Sequence, residues 1–542
     1  MTAGTPIDPS PSQGAGPGAR SQAAAPLDCD VFIVGGGIHG TSVARDLAGR
    51  GLRVVLAEQQ DFASHASSSS SKLLYGGLGP QDSSRFAPVR ETLQERELLL
   101  RSAPHITWPL RFVLPHGAQA GGEDAPPAWK IRLGLFVYDR LARRERLQGS
   151  SGVDLRTHGV GAPLQSQYTR GFIYSDGWVD DARLTVLNAM HAREHGATLF
   201  TRTRCIGAQR GDREWSASLQ HRDGSFTTVR ARVVVNACGA WAESFLRGVA
   251  RPARGEALAR RSVRRVKGSH IVVPRLFEHD HAYVLPGNGR RALFVIPYEQ
   301  RFTLIGATET AINDEPGDDS FTHEEIQDLC LQAGRYFKQA IVPADVVWAF
   351  SGVRVTLDTP GDRLLEPDTV AAPLLTVWGG SIANARKLAE EASNEVSRML
   401  GESIRPWTRG AYLPGGDLSE WIGSPVQPDV DFQRFVIAVR QRHPWLLEVV
   451  ARRLARAYGS RIDRVLGDAQ SFADLGAQVG PGLFEAELRY LRREEWATQA
   501  DDVLWRRSKL GLHFSPEESV RVAEWMSEPS GTPRAQPKLR VA

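Results

Sequence analysis

The stretch Asp30-Val31-Phe32-Ile33-Val34-Gly35-Gly36-Gly37-Ile38-His39-Gly40 decides the fold of this chain. Val31–Val34 is a short, wholly apolar run, as expected of a strand that is buried on both faces. The glycines follow at once, and Thr41–Arg50 then has helical character, with Gly51 marking its end. Leu52–Ala57 is the next apolar run. Strand, helix and strand in such quick succession predict a parallel sheet in an α/β fold.

The glycines fit the pattern G-x-G-x-x-G, with its fixed positions at Gly35, Gly37 and Gly40. In this pattern the backbone approaches a pyrophosphate closely, and the amides at the helix start, near Ile38, face the negative charge. Glu58, at the end of the next strand, can accept hydrogen bonds from ribose hydroxyls and repels a 2′-phosphate, which disfavours NADP. A plain glycine turn in a βαβ unit is the alternative. The motif by itself leaves FAD and NAD both open.

Two further segments are candidates for contact with the same nucleotide. The first is a serine run, Ser67–Lys72, which precedes two glycines; its hydroxyls, amides and lysine can hold a diphosphate or approach a flavin ring, although such runs are usually linkers. The second is Val233–Trp241, a strand that runs into a turn of small residues, for which an ordinary strand end is the simpler interpretation. From these segments we predict cofactor contacts at Ser67, Ser71, Lys72, Gly76, Gly77, Ala237 and Gly239.

The composition indicates a globular protein. Of the 542 residues 42% are hydrophobic and 24% are charged, which supports a sizeable core, and the net charge of +4 gives no reason to expect a nucleic-acid partner. No apolar stretch approaches the ~20 residues that span a bilayer. The four cysteines lack CxxC spacing, which argues against a zinc or dithiol site and suits a reducing compartment. Glu278–His281 is interpreted as a polar loop, so no metal site is predicted.

The chain divides into four parts by composition. Residues 1–27 are rich in Ala, Pro, Gly and Ser and are predicted to be a disordered tail without a readable signal peptide. Residues 28–412 mix β-like and helical runs, residues 413–528 form a helical domain, and residues 529–542 form a second tail. The clearest strand candidates are Arg232–Val235, His270–Val273, Leu293–Ile296 and Leu374–Trp378. The helical candidates of the C-terminal part are Phe432–Tyr458, Leu483–Arg507 and Pro516–Trp525.

A series of ordered segments matches one known family. They are Ser67–Gly77, Ala103–Ile106, Tyr174–Leu184, Val266–Pro274, Phe294–Pro297, Ser351–Arg354, Arg386–Glu390, Tyr458–Ser460, Glu485–Leu488 and Ala500–Arg507. On these segments, together with the glycine motif and Glu58, the chain resembles the FAD-dependent glycerol-3-phosphate dehydrogenases, the quinone-linked flavoenzymes of aerobic glycerol metabolism. The resemblance extends from Asp30 to about Trp525.

The resemblance implies FAD as the cofactor, bound by a Rossmann-like α/β domain of the glutathione-reductase/D-amino-acid-oxidase type. It further implies an interleaved β-rich substrate domain within residues 28–412 and a C-terminal helical domain. The implied reaction moves a hydride from C2 of sn-glycerol 3-phosphate to flavin N5, which yields dihydroxyacetone phosphate, and electrons then pass to a membrane quinone. The protein is therefore expected to be cytoplasmic and peripheral on the membrane face; a homo-oligomer is left open. Cys205, Gly380 and Ser381 complete the predicted cofactor contacts.

Three residues are predicted to act on the substrate. A phosphate ester needs cationic donors, and Arg354 and Lys267 match a family arginine and lysine at the substrate. Removal of a hydride also requires a base for the hydroxyl proton, and His270 is the candidate by its matched position. The competing interpretations are ordinary salt bridges for the two cations and a structural role for the histidine.

Two segments depart from the family pattern. The family usually reads His-Gly-Gly-Leu-Arg-Tyr-Leu where this chain has Gly79-Pro80 in place of the Arg–Tyr pair. Near the flavin, Ser381–Ala385 lacks the lysine, threonines and tyrosine of the family. Each lost charged hydrogen bond to phosphate costs about 1.5–3 kcal/mol. The site is therefore tuned for another polar substrate, or is catalytically degenerate while still binding FAD, or uses replacement cations such as Arg386, Arg264 and Arg265.

Two basic segments are candidates for contact with a membrane. Arg260–Lys267 is a basic run, and Phe432–Tyr458 carries many arginines beside apolar residues. A solvated loop and a helix–helix core with a charged outer face are the respective alternatives.

Overall fold

The computed structural model of the chain describes residues 25–76, 86–117, 127–142, 144, 147–255, 257–258, 261, 263–287, 292–312, 321–357 and 364–528. The predicted contact Gly77, the departure Gly79-Pro80 and most of both predicted tails lie outside these residues. Leu27, which the sequence assigns to the first tail, is instead the first residue of a strand. It pairs in parallel with Val229, so regular structure begins before Asp30 because a later strand provides a partner for it.

Most strands belong to two sheets. In chain order the strands are β1 (Leu27–Val34), β2 (Val54–Ala57), β3 (Leu73–Leu74), β4 (Thr107–His116), β5 (Ser151–Asp154), β6 (Arg170–Val179), β7 (Thr198–Phe200), β8 (Thr203–Arg210), β9 (Trp215–His221), β10 (Phe226–Asn236), β11 (Ala250–Arg251), β12 (Val263–Pro274), β13 (Ala282–Pro286), β14 (Ala292–Tyr298), β15 (Phe302–Gly306), β16 (Thr310–Ile312), β17 (Trp348–Leu357), β18 (Leu365–Asp368), β19 (Leu374–Val377), β20 (Gln478–Gly480) and β21 (Leu483–Phe484).

The helices cover the sheets and form the C-terminal part. In chain order they are α1 (Ile38–Gly49), α2 (Phe86–Ser102), α3 (Ala128–Leu141), α4 (Asp181–Glu194), α5 (Ala242–Ser244), α6 (His323–Gly334), α7 (Ala385–Met399), α8 (Ser419–Ile422), α9 (Pro428–Arg442), α10 (Glu448–Tyr458), α11 (Ile462–Leu466), α12 (Glu485–Glu494) and α13 (Pro516–Ser527). No helix within the described ranges combines the length and the hydropathy needed to cross a bilayer.

The first sheet carries the glycine loop. Its nine described strands include the path β11-β8-β9-β10-β1-β2-β7, with β19 beside β10 and β18 beside β19. β1 pairs in parallel with both β2 and β10. Val31 and Ile33 pack into the core that holds α1, α4 and α7, whereas Phe32 and Val34 pack into a second core on the other face. This burial on both faces explains why β1 is apolar without alternation.

The second sheet holds the predicted substrate residues. Its ten described strands include the path β16-β12-β15-β14-β13-β4-β6-β3, with β17 beside β12 and β5 beside β6. β12 and β17 are antiparallel, with His270 opposite Phe350 and Lys267 opposite Val353. Strands of the two sheets alternate along the chain, so the predicted interleaving of the two parts, and with it the predicted fold class, is confirmed.

The C-terminal helices share a core with the first sheet. Phe432, Leu454 and Leu488 belong to the same apolar cluster as Val31 and Leu47. The long helical run predicted from Phe432 is two helices, α9 and α10, because Pro444 cannot continue a helix. The boundary between residues 412 and 413 stays a prediction.

Buried ion pairs join the C-terminal part to the rest. Asp61, just after β2, accepts hydrogen bonds from Arg506 Nε at 2.7 Å and from Arg507 Nη2 at 2.8 Å. Arg183 on α4 pairs with Glu495, and both side chains are buried. A buried charge that loses its partner is strongly destabilising, so these pairs hold the two parts in one arrangement.

We expect Arg183→Leu to lower the free energy of unfolding by about 3 kcal/mol, because it removes the hydrogen-bonded cation of buried Glu495 and leaves only the more distant Arg507 Nε at 3.8 Å. Urea denaturation followed by circular dichroism measures the change. The control is Arg230→Leu, which breaks the half-exposed pair with Asp28 and should cost less than about 1 kcal/mol. Equal losses in the two variants would contradict this account of the interface.

Candidate functional site

The glycine loop brings three backbone segments into contact. Gly35 has φ +111°, and a Cβ built there would lie 2.4 Å from the Ala237 carbonyl oxygen at the end of β10. A Cβ on Gly40 would lie 1.9 Å from the Gly35 carbonyl oxygen. Gly37 caps α1 without a side-chain hydrogen bond, so the first amides of the helix face the loop. One of them, Ile38 N–H, donates to Ser67 Oγ at 2.9 Å. This geometry suits a diphosphate held by backbone amides.

Glu58 stands at the end of β2 beside the same loop. Its carboxylate accepts hydrogen bonds from Gly36 N–H at 2.6 Å and from Gln60 N–H at 2.8 Å. Burial raises the pKa of Glu58, and these two donors oppose that rise. The carboxylate is thus fixed where the ribose of a dinucleotide would follow the diphosphate.

A single cavity of about 2430 Å³ extends from the glycine loop to the second sheet. The predicted site residues that line it are Gly35, Gly37, Ile38, Glu58, Ser67, Ser71, Cys205, Ala237, Gly239, Gly380, Ser381, His270 and Arg354. Residues from both sheets and from both sides of the serine run thus share one space. The cavity thus joins a diphosphate cradle to a histidine and an arginine, as a site shared by FAD and a small substrate requires.

Four predicted residues do not line this cavity. Lys72 Nζ donates to Asp181 Oδ1 at 2.7 Å and to the Ser68 carbonyl oxygen at 3.0 Å in a buried ion pair. Lys267 Nζ pairs with Glu325 Oε2 at 3.0 Å. Gly40 and Gly76 also lie off the wall: Gly40 packs α1 on the loop, and Gly76 N–H donates to the Tyr138 hydroxyl at 3.1 Å.

Contrary to the prediction, these two lysines are therefore not placed to contact a diphosphate or a substrate. Their carboxylate partners come from distant parts of the chain, and pairing with them satisfies cations that burial would otherwise penalise. Lys72 still acts on the site indirectly, because Asp181 also accepts hydrogen bonds from Ser70 N–H at 3.1 Å and Ser70 Oγ at 2.7 Å, which fixes the serine run.

His270 is the buried base candidate of the cavity. Its ring stacks on Phe350 with centroids 5.0 Å apart and planes 13° apart. Among the described residues neither ring nitrogen has a hydrogen-bond partner. Burial, together with the charge of Lys72, lowers the pKa of His270 to about 3. The imidazole is therefore neutral, and its unpaired nitrogens are placed to hydrogen-bond a group bound in the cavity. A pKa this low also makes the empty site's imidazole a weak base, so service as the base requires that a bound group raise the pKa.

Arg354 is paired with the carboxylate of Glu309, a residue that the sequence analysis did not identify. It is half-exposed, lines the cavity and forms an ion pair with Glu309, which also lines the cavity. Thr308, next to Glu309, has a buried Oγ1 with no hydrogen-bond partner among the described residues. The sequence did contain a signal for this carboxylate, because polar residues follow the apolar strand β15. Side chains in the loop after a strand often face a ligand.

Two of the arginines that the sequence offered as replacement cations, Arg386 and Arg265, are engaged with other groups. Arg386 donates from Nε and Nη2 to Glu95 at 2.7 Å each, and Arg265 donates to the Ala240 carbonyl oxygen and pairs with Glu243. In the described chain the lysine and arginine side chains that line the cavity are those of Lys130, Arg204 and Arg354. The described residues contain no group of three or more His, Cys, Asp or Glu side chains that could hold a metal ion.

Comparison with known proteins supports the interpretation of the cavity as an FAD site. Residues 30–385 match the family model described as FAD dependent oxidoreductase, and residues 407–534 match that of the C-terminal domain of alpha-glycerophosphate oxidase. The chain belongs to the FAD-dependent glycerol-3-phosphate dehydrogenase family. Its cofactor is FAD, and it is an FAD-dependent dehydrogenase. The predicted family and cofactor are thereby confirmed.

Three relatives show how the family varies. A glycerol-3-phosphate dehydrogenase of Pseudomonas aeruginosa is 43% identical over 93% of this chain and 96% of its own length. A D-erythritol 1-phosphate dehydrogenase of Brucella abortus is 41% identical over 93% and 98%. The aerobic glycerol-3-phosphate dehydrogenase of Escherichia coli is 39% identical over 92% and 97%.

A solved structure shares the fold. The glycerol-3-phosphate dehydrogenase of Bacillus halodurans, complexed with FAD, superposes with a TM-score of 0.69 at 22% identity over 92% of this chain and 94% of that one. This likeness extends through the C-terminal helices, which supports the arrangement of both parts around the cavity.

We expect Gly40→Ala to weaken FAD binding by at least about tenfold, because its Cβ would overlap the Gly35 carbonyl oxygen and displace the helix amides. Fluorescence titration of the apoprotein with FAD measures the dissociation constant. The control is Gly248→Ala, which also faces the cavity but has no atom within 4 Å of the new Cβ. Unchanged FAD affinity in Gly40→Ala would contradict the assigned role of the loop.

The low pKa of His270, about 3, predicts a pH dependence of stability. Between the ordinary pKa of ~6.5 and the folded value, the unfolded chain binds a proton that the folded chain does not, so stability falls as the pH drops. When the pH is lowered from about 7.5 to about 5, the free energy of unfolding of His270→Gln should therefore fall by about 2 kcal/mol less than that of the parent. Urea denaturation at both pH values tests this, with exposed His323→Gln as the unaffected control; a parallel loss in all three proteins would refute it.

Proposed function

We propose that this dehydrogenase oxidises sn-glycerol 3-phosphate to dihydroxyacetone phosphate and passes the electrons through FAD to a membrane quinone. The carrying observation is the cavity that runs from the diphosphate cradle at Gly35 to His270 and Arg354. Bound FAD supplies the hydride acceptor. Two relatives named as glycerol-3-phosphate dehydrogenases, at 43% and 39% identity over nearly the whole chain, support this substrate.

Two residues of the cavity wall, His270 and Arg354, act on different parts of such a substrate. Neutral His270 can accept a hydrogen bond from the hydroxyl whose carbon loses the hydride, and its stacking on Phe350 holds the ring in place. It can take that proton where the bound phosphate's negative charge raises the pKa of the imidazole. Arg354 can bind the phosphate through two N–H groups. The phosphate would then compete with Glu309 for the guanidinium, so part of the binding energy replaces an existing ion pair.

A larger polyol phosphate is the second candidate substrate. One relative, 41% identical, is named D-erythritol 1-phosphate dehydrogenase. Ser381, which lines the cavity, stands where the family has a lysine, and this shorter side chain leaves room and alters the polar contacts. Glu309 offers a carboxylate that accepts hydrogen bonds from extra hydroxyls. Degeneration into an FAD-binding protein without a reaction is the remaining alternative.

The proposed location of the protein follows from its proposed electron acceptor, a quinone. A quinone resides in the lipid phase, so we place the protein at the cytoplasmic face of a membrane, attached peripherally. The predicted basic surfaces gain little support from the structure. Lys267 is paired with Glu325 and Arg453 with Glu487. Most apolar residues of α9 and α10 are buried in the helical core, whereas Val430, Ile437 and Val449 are exposed. Self-association into a homo-oligomer stays a prediction.

Glycerol 3-phosphate should bleach the flavin under anaerobic conditions in the parent protein. Arg354→Ala should raise the KM for glycerol 3-phosphate by about tenfold or more, since a charged hydrogen bond is worth about 1.5–3 kcal/mol, with a smaller effect on kcat. Stopped-flow absorbance at the flavin band gives both values. The control, exposed Arg170→Ala on β6, should leave them unchanged.

Three outcomes separate the candidates. Bleaching by D-erythritol 1-phosphate but not by glycerol 3-phosphate would select the larger substrate. Bound flavin that no polyol phosphate reduces would select the degenerate protein. Equal KM values in the parent and Arg354→Ala would remove Arg354 from the substrate site.

A further inference from the structure

The ring of His270 is oriented by packing rather than by hydrogen bonds. Among the residues that the structure describes, neither of its nitrogens has a hydrogen-bond partner. A catalytic base is usually turned toward its substrate by a hydrogen bond from a third group, so another contact must set the orientation here. The ring stacks on Phe350, and it lies against Gly306, where a Cβ would come within 2.2 Å of His270 Cδ2. Whatever fixes Phe350 therefore also fixes this ring.

A row of aromatic rings extends from His270 to the C-terminal part. Phe350 packs on Trp348, which lies two residues earlier on the same face of β17, with ring centroids 4.6 Å apart. Trp348 in turn stacks on Trp505, also at 4.6 Å, with the planes 27° apart. Aromatic contacts of this kind contribute about 0.5–1.5 kcal/mol each beyond the area that they bury. The row thus joins a ring of the cavity wall to a side chain of the C-terminal part.

Trp505 is held firmly at its end of the row. It belongs to a π-helical turn, Asp502–Arg507, and such turns are frequent at functional sites. The two arginines that end this turn bind the buried carboxylate of Asp61, in the loop after β2. The indole also lies against Gly511, where a Cβ would come within 2.5 Å of Trp505 Cζ2. Ion pairs to the first sheet and the lack of a side chain at Gly511 therefore set the position of the indole.

The segment after this turn packs on the face of the second sheet that carries the row. Strand register places His270, Phe302 and Trp348 on one face. Leu512 packs against the apolar cluster of that face. The His513 ring lies with its centroid 5.4 Å from that of Phe302. The C-terminal part thus covers the strands that carry the histidine, and the contact between the two tryptophans lies within a packed layer.

We propose that Trp505 is a positioning residue for the reaction, which holds the His270 ring toward the substrate hydroxyl through Trp348 and Phe350. This proposal also gives a role to Ala500–Arg507, one of the segments on which the family resemblance rests. The effect on the reaction rests on the function proposed above, whereas the effect on the orientation of the ring does not. The competing explanation is that Trp505 only fills space between the C-terminal part and the second sheet.

The orientation of the ring is tested in the holoenzyme without any substrate. Labelling histidine Cε1 with ¹³C gives a proton–carbon resonance for each histidine, and His270→Gln identifies the one that belongs to His270. An aromatic ring stacked on an imidazole displaces its resonance, so this signal reports the contact with Phe350. We expect Trp505→Leu to move it and Trp445→Leu to leave it in place. Trp445 is the matched control, because it is half-buried against the same apolar cluster and contacts His443 instead.

Anaerobic rapid mixing with glycerol 3-phosphate measures the effect on the reaction. Trp505→Leu should lower the limiting rate of flavin reduction at least about tenfold and change the half-saturating substrate concentration by less than about threefold. The two effects separate because a misplaced base raises the barrier to the reaction, whereas Arg354 still binds the phosphate. Trp505→Phe keeps an aromatic ring in the row and should recover most of the rate, while Trp445→Leu should leave the rate unchanged.

A double variant tests whether the two tryptophans act in one row. Trp348→Leu should lower the limiting rate by at least as much as Trp505→Leu does. Because Trp505 reaches the histidine through Trp348, the double variant should be no slower than Trp348→Leu alone.

Three results would overturn the proposal. An unchanged His270 resonance in Trp505→Leu would do so whatever happens to the rate. A displaced resonance with an unchanged rate would remove the role in the reaction, and a double variant whose loss is the product of the single losses would remove the row. If Trp505→Leu does not retain FAD, Gly511→Ala gives the same test, since its Cβ displaces the indole without removing it. If no polyol phosphate reduces the flavin of the parent, the proposed substrate fails, and the resonance still decides whether Trp505 orients the ring.

Discussion

The backbone contact between Gly35 and Gly40, where β1 passes into α1, is the constraint on which the rest of the molecule depends. Because neither residue carries a Cβ, α1 can pack directly on the loop and aim its first amides into the cavity. The same loop touches Ala237 at the end of β10, so two strands and one helix converge at the diphosphate cradle. β1 sits between two cores, and any shift of this contact would disturb both.

The sequence predicted the local part of this arrangement and missed the distant part. Strand, glycine loop and helix follow from periodicity and residue type, which act over a few positions. Lys72 was predicted as a ligand from its place in the serine run, and Lys267 from its match to a family lysine, yet each pairs with a carboxylate far along the chain, Asp181 and Glu325. Residue type shows that a cation needs a partner; only the fold shows which partner it has. Glu309 was missed for the same reason.

The substrate end of the cavity differs from the cofactor end in how it is held. Backbone amides and glycines form the cradle and tolerate little change. His270 and Arg354 are side chains on strands of the second sheet, Glu309 lies in the loop between β15 and β16, and the Arg354–Glu309 pair must rearrange for an anion to bind. Specificity can therefore change by substitution at a few side chains while FAD binding persists. Close relatives with different named substrates, at 43% and 41% identity to this chain, fit that division.

Arginine serves two opposite purposes in this chain. Arg183 and Arg507 are buried with Glu495 and Asp61, which locks the C-terminal helices to the first sheet, and removing either cation would leave a buried carboxylate with fewer ion-pair partners. The basic residues of α3 face outward beside aromatic rings instead. The joint between the two parts is thus fixed by buried charge pairs, whereas α3 is held at one buried position, Tyr138.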